Sequence, residues 1–138
     1  MNRRDFLLTT AAVAALPFAA HASNSWVNYA PGVVADALAE GRTVFVDFSA
    51  HWCSTCAAQE RQIGTLWGEN PAYGENVLFV KVDWDTYRTA EFTRSLRIPR
   101  RSTLVVLKGD QELGRIVAGT SRAQIKDLMD IALEAATA

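Results

Sequence analysis

Cysteine is scarce, with two residues in 138. Two thiolates supply half of the four ligands a structural zinc site needs, and they fall far short of the density that staples small secreted scaffolds. An excess of one charge is missing as well. Lys and Arg number 14 against 15 Asp and Glu, a formal net charge of -1, so there is no global basic field to neutralise a phosphate backbone and nucleic acid is not expected as a partner. The apolar stretch from Phe6 to Ala20 carries Thr9 and Thr10 and is interrupted by Pro17, leaving it short of the roughly 20 residues that span a bilayer core. Internal repeats, low-complexity tracts and interdomain linkers are absent too. What remains, 49% hydrophobic and 21% charged, suits one compact domain rather than two, and excludes extended disorder.

Met1 to Ala22 follow the plan of an export signal: Arg3 and Arg4 at the start, the apolar stretch, then Ala20-His21-Ala22 as an A-x-A cleavage site before Ser23. The order Arg3-Arg4-Asp5-Phe6-Leu7 resembles the twin-arginine export signal, with an ordinary secretory signal as the alternative. A retained membrane anchor is disfavoured by length. Cleavage after Ala22 leaves 116 residues with a net charge of -2. The expectation is a signal peptide over 1–22, a single domain over 23–138, and a periplasmic, monomeric mature protein.

Within that domain, Pro31 to Glu40 carries Val34, Ala37 and Leu38 at helical spacing, with Pro at its start and Gly41 just past its end. Thr43 to Ser49 is a β-branched and aromatic run interrupted only by Asp47, the mark of a strand covered on both faces, and it implies a buried carboxylate. Ala57 to Ile63 consists largely of good helix formers, Gly68 and Pro71 end that segment, and Glu69 to Asn76 reads as a loop. Val77 to Val82 repeats the buried-strand pattern, Tyr87 to Leu96 reads as a short helix, and Thr103 to Leu107 pairs with Leu113 to Val117 as an antiparallel hairpin. Ser121 to Gln124 is a capping box ahead of Ile125, Leu128, Met129, Ala132 and Leu133 on one helical face. With a short extra strand at Trp26 to Tyr29, the order α, β, α, β, α, β, β, α predicts an α/β domain with a single mixed sheet covered by helices.

Both cysteines stand in Trp52-Cys53-Ser54-Thr55-Cys56, where a strand gives way to a helix. A disulfide across so short a loop restrains the unfolded chain by only about 2 kcal/mol, so stapling is a poor reason for the pair. The partial positive charge of a helix start instead favours a thiolate on the first sulfur, while the second lies one turn on, placed to resolve a mixed disulfide. A c-type haem site needs His after the second cysteine, and that residue is Ala57. A metal site recruiting His51 would still lack a ligand. Two inert structural thiols remain the plain alternative.

The run Val46-Asp47-Phe48-Ser49-Ala50-His51-Trp52-Cys53-Ser54-Thr55-Cys56 resembles the thioredoxin active-site segment. Phe79 to Asp83 and Ser102 to Gly109 resemble later strands of the same family, and the Asn70-Pro71 loop is most similar to the C-terminal periplasmic domain of DsbD-type proteins. The resemblance implies a thioredoxin-like fold, a central mixed β-sheet flanked by helices. It implies Cys53 as nucleophile, Cys56 as resolving thiol, Asp47 as a buried acid-base group acting on Cys56, and Lys81 as the partner of Asp47. Trp52, Arg101, Ser102 and Thr103 would border the docking site for substrate. Lys81 has a bland reading, a side chain reaching to solvent, and Trp52 serves as contact rim, packing or both.

The family places a cis-proline, facing the cysteines, directly before the Thr-initiated strand, and here the alignment puts Ser102 there with Pro99 three residues upstream. Either a short insertion separates Pro99 from the strand, or serine replaces the proline. Arg94, Arg97, Arg100 and Arg101 crowd the same region, giving either a local positive field or a solvated helix end. The function expected is a reductase-side thiol:disulfide oxidoreductase without a cofactor, acting on disulfide-containing client proteins and supplied by a membrane electron donor of the DsbD or CcdA type. The competing expectation is a non-catalytic binding or metal-assembly module using the same cysteines.

Overall fold

The computed structural model describes residues 25–138. The signal segment expected over 1–22 lies outside the described residues. The chain runs through β1 (Val27–Asn28), α1 (Val33–Ala39), β2 (Thr43–Ser49), α2 (Ser54–Glu69), α3 (Ala72–Asn76) and β3 (Leu78–Asp83). It continues through α4 (Trp84–Tyr87), α5 (Glu91–Ser95), β4 (Thr103–Lys108), β5 (Gln111–Val117) and α6 (Arg122–Thr137). The strands form one sheet in the order β1-β3-β2-β4-β5. β1 and β2 lie parallel to β3, while β4 runs antiparallel to both β2 and β5. The mixed sheet expected from the element order is therefore present.

β2 is central and every residue in it is buried, which explains why its sequence lacks the polar alternation of a half-exposed strand. Period-2 geometry divides its side chains between two cores. Phe45 packs with Ile63, Leu66, Trp67, Phe79 and Met129 under α2 and α6, while Val44, Val46 and Phe48 pack with Val34, Val80 and Val105 toward α1. Asp47, two residues from Phe45, thus falls on the α2 side of the sheet.

Three expected elements differ. The loop expected over Glu69 to Asn76 contains the short helix α3: Asn70 Oδ1 accepts from the Ala72 N–H at 3.1 Å, and Tyr73 is buried with its hydroxyl on Asp130 of α6. A tertiary anchor thus holds a turn that local propensity leaves open. The helix expected over Tyr87 to Leu96 is confined to α5, with α4 ending at Tyr87, because Ala90 is extended and the Thr93 hydroxyl donates to the Tyr87 carbonyl at 2.7 Å. The β4–β5 hairpin has a shorter link than expected and a register shift between Val106 and Leu107. At α6, Ser121 Oγ accepts from the Gln124 N–H at 3.1 Å, as an N-cap serine should. Among the described residues no helix is long and apolar enough to cross a membrane.

Candidate active site

β2 ends at Ser49, and the chain turns so that the Cys53 N–H donates to the Ala50 carbonyl at 3.1 Å. Cys53 is the N-cap of α2, with extended backbone, and its Sγ accepts from the Cys56 N–H at 3.2 Å. Sulfur here occupies the place that a serine or aspartate oxygen takes at other helix starts, so a negative charge on it is met by the free N–H end of a helix of 16 residues. Both cysteines are free thiols. Only 5% of Cys53 and 1% of Cys56 is exposed.

The residue against the sulfurs is Ser102, the alternative raised by the alignment. Its Oγ lies 3.2 Å from Cys53 Sγ and 3.1 Å from Cys56 Sγ, and the residue is fully buried. No peptide bond among the described residues is cis, and Pro99 is exposed. Ser102 takes a left-handed φ of 63°, a conformation that non-glycine residues adopt at a cost of about 1 kcal/mol or more. Three hydrogen bonds hold it there. Its N–H donates to the Phe48 carbonyl at 2.7 Å, and its carbonyl accepts from the Ala118 N–H at 2.8 Å and from Gln59 Nε2 at 2.9 Å. Gln59 is itself fully buried and also reaches the Gly119 carbonyl. Gln59 went unnoticed in the sequence, where a glutamine among helix formers carries no signal.

The two thiols differ in acidity. Burial pushes Cys53 up, but hydrogen bonding from Cys56, Ser102 and Arg101 outweighs it and brings the thiol down to about 7. Cys56 is raised by burial and by its hydrogen bond with Cys53. Asp47 is completely buried, with no hydrogen-bond partner at either carboxylate oxygen. Burial first, then the nearby Glu60 charge, raise it to about 8 against the opposing pull of Lys81. Asp47 and Lys81 are register partners across β2 and β3, yet the Lys81 ammonium pairs with Glu60 at 2.9 Å. The partnership expected between Lys81 and Asp47 is accordingly corrected to an ion pair between Lys81 and Glu60. Glu60 also accepts from the Ser49 hydroxyl at 3.0 Å. These groups border a cleft of about 400 Å³ lined by Tyr29, Ser49, His51, Glu60, Lys81 and Asp83 among others. Glu60 was missed because its position one helical turn beyond Cys56 looks like any solvated helix charge.

At the mouth, Trp52 is 54% exposed. Its indole N–H donates to Asp85 at 2.8 Å, and the Arg101 guanidinium lies 4.5 Å from its ring centroid, a cation–π contact that fixes a permanent positive charge beside Cys53. Thr103 does not join this surface. It is fully buried and its hydroxyl donates to the Arg100 carbonyl at 2.7 Å, so the docking role expected for it is corrected to shaping the loop. The cysteines, Ser102, Trp52 and Arg101 are brought together, with Asp47 beneath and Lys81 turned toward Glu60.

A strand-to-helix cysteine pair on this sheet has known relatives. The thioredoxin family model matches residues 30–131. The chain belongs to the thioredoxin family. A thioredoxin of Echinococcus granulosus is 31% identical over 104 residues, covering 75% of this chain and 91% of that protein. Thioredoxin H2-1 of Oryza sativa subsp. japonica is 37% identical over 76 residues, and the match spans about half (51%) of its length. Among solved structures, Trxlp from Edwardsiella tarda EIB202 is similar with a TM-score of 0.66 at 30% identity, covering 76% of this chain and 98% of that one. Family membership together with the Cys53 and Cys56 pair makes this a thiol:disulfide oxidoreductase.

Proposed function

We propose that this thioredoxin-family protein works outside the cytoplasm as a reductase, passing electrons from a membrane donor of the DsbD or CcdA type to disulfide-containing client proteins. The observation that carries the direction is the acidity of Cys53. A nucleophile held near 7 has a thiolate only moderately favoured over the thiol. Strongly oxidising exchangers instead hold a thiolate near 3.5, which stabilises their reduced form and drives them to take electrons. Cys53 attacks a client disulfide as the thiolate, and Cys56, retained as a thiol by its raised pKa, then attacks Cys53 Sγ and releases the reduced client.

Export rests on the sequence from Met1 to Ala22, and a reductase on that side of the membrane needs electrons delivered across it. The DsbD-like subtype draws on the Asn70-Pro71 loop, whose Asn70 side chain, just ahead of α3, accepts from the Ala72 N–H. The competing reading is a non-catalytic binding or metal-assembly module; a metal site within one chain would need further ligands beside the cysteines, and among the described residues no group of three His, Cys, Asp or Glu gathers to hold a metal ion. The test is a redox titration of the Cys53–Cys56 pair against glutathione, with insulin reduction as the activity readout and cell fractionation of an Arg3→Lys/Arg4→Lys variant. A thioredoxin-like potential, catalytic insulin reduction and loss of export in the variant are expected. A strongly oxidising potential would overturn the direction, and accumulation in the cytoplasm of cells making the unaltered protein would overturn the location.

A further inference from the structure

The polar atom in contact with both reacting sulfurs is a hydroxyl. We propose that Ser102 is a catalytic proton relay, carrying the proton of Cys56 to the departing client sulfur as the mixed disulfide resolves. This rests on the reading of Cys53 and Cys56 as an exchange pair.

Ser102 Oγ stands 3.2 Å from one sulfur and 3.1 Å from the other, and a hydroxyl has one proton to give and lone pairs to receive. Either atom can donate in each contact, and with Cys53 as thiolate and Cys56 as thiol the relay uses the order in which the Cys56 S–H turns from Cys53 to donate to Ser102 Oγ while the Ser102 O–H donates to Cys53 Sγ. Such a chain is aligned for transfer. Asp47 makes no direct hydrogen bond to either sulfur, since neither of its oxygens has a protein partner. The charged and titratable groups around the centre are Asp47 from β2, Glu60 from α2, Lys81 from β3 and Arg101 from the loop before β4. None of them lies within hydrogen-bonding distance of Cys56 Sγ.

The backbone supports this use. A buried serine at φ 63° is strained, and strain at a site indicates that the surroundings over-determine the geometry. The bonds from Ser102 N–H to Phe48 and from Ala118 and Gln59 to Ser102 O occupy its main-chain groups, leaving the side chain as its free polar function. Those anchors come from β2, α2 and the end of β5, so the hydroxyl is held between the sulfurs by three separate elements.

The step balances. Cys53 thiolate first attacks the client disulfide, and one client sulfur leaves as a thiolate that solvent protonates. In resolution, the Cys56 S–H bond breaks as its proton passes to Ser102 Oγ, and the hydroxyl's own proton passes to the second client sulfur. The Cys53–client S–S bond breaks and the Cys53–Cys56 S–S bond forms. The client gains two electrons and two protons, and the cysteine pair is oxidised to its disulfide.

Single-turnover reaction of the reduced protein with cystamine, quenched with acid and followed by mass, resolves the mixed disulfide on Cys53. Ser102→Gly removes the hydroxyl and relieves the positive φ, so it should unfold in urea no earlier than the parent; Ser102→Ala removes the hydroxyl and keeps Cβ. In both, the mixed disulfide should accumulate and decay about tenfold more slowly, and alkylation of Cys53 by iodoacetamide should titrate about one unit higher. With the unaltered protein, decay should show a solvent deuterium isotope effect above about 2, a measurement that needs no variant. Decay within twofold of the parent in the glycine variant, or an isotope effect near unity, overturns the relay while leaving the exchange function standing. Failure of the unaltered protein to react with cystamine would instead remove the exchange reading and the relay with it.

Discussion

Asp47→Asn should make the folded protein increasingly stable relative to the parent as pH rises. The folded state holds the Asp47 proton until about 8, whereas the unfolded chain releases it near 3.8. Between those values the folded state binds more protons than the unfolded one, so ionisation opposes folding and parent stability falls with rising pH. Each unit of displacement is worth about 1.4 kcal/mol, which puts the loss on the order of 4 kcal/mol by about pH 7 and somewhat more by about pH 9. Asparagine keeps the volume and never ionises. Its amide is buried where Asp47 finds no hydrogen-bond partner, a cost of about 1–3 kcal/mol that does not depend on pH. The slope is therefore the diagnostic. Urea unfolding of reduced parent and variant across about pH 4 to 9 should show their stability difference growing by about 1.4 kcal/mol per unit up to about pH 8, then levelling. The cysteines titrate in both proteins and cancel to first order. A difference that stays flat would mean that Asp47 ionises at its ordinary value, and the account of a buried carboxylate without a protein partner beneath the cysteines would fail.

Glu60→Gln removes a charge that holds Asp47 protonated, so the upper end of that window should move below pH 8; a carboxyl-carbon NMR titration of Asp47 checks it, and an unmoved midpoint refutes it. Arg101→Ala removes a group that favours the Cys53 thiolate, so the Cys53 pKa should rise above about 7 and iodoacetamide alkylation near neutral pH should slow a few-fold. The same variant frees the Trp52 ring from its cation, and its indole fluorescence should change. Cys56→Ala should trap a client through Cys53 as a stable mixed disulfide on non-reducing gels, whereas Cys53→Ala should trap none; trapping through Cys56 would reverse the assignment of roles.

Much of this protein is written in local pattern. β2 at Thr43–Ser49 coincides with the run read from the sequence, because a strand covered on both faces has to be apolar throughout. The capped α6, the β4–β5 pairing and the sulfur pair at a helix start follow from turn chemistry and periodicity in the same way. The burial of Asp47 was legible too, as a lone carboxylate in an apolar strand. Tertiary structure decided what depends on contacts between residues far apart in the chain. α3 exists because Tyr73 reaches Asp130, 57 positions away, and Lys81 chose Glu60 over Asp47 because α2 lays that carboxylate beside it. The departure at Ser102 was visible as spelling. Its seat between two sulfurs 49 and 46 positions away was not, since no local periodicity encodes a hydroxyl held by main-chain bonds from separate elements. Sequence pattern reports what each segment does to its own neighbours along the chain, whereas the acidity of Asp47, Cys53 and Cys56 is set by whatever the fold packs around them.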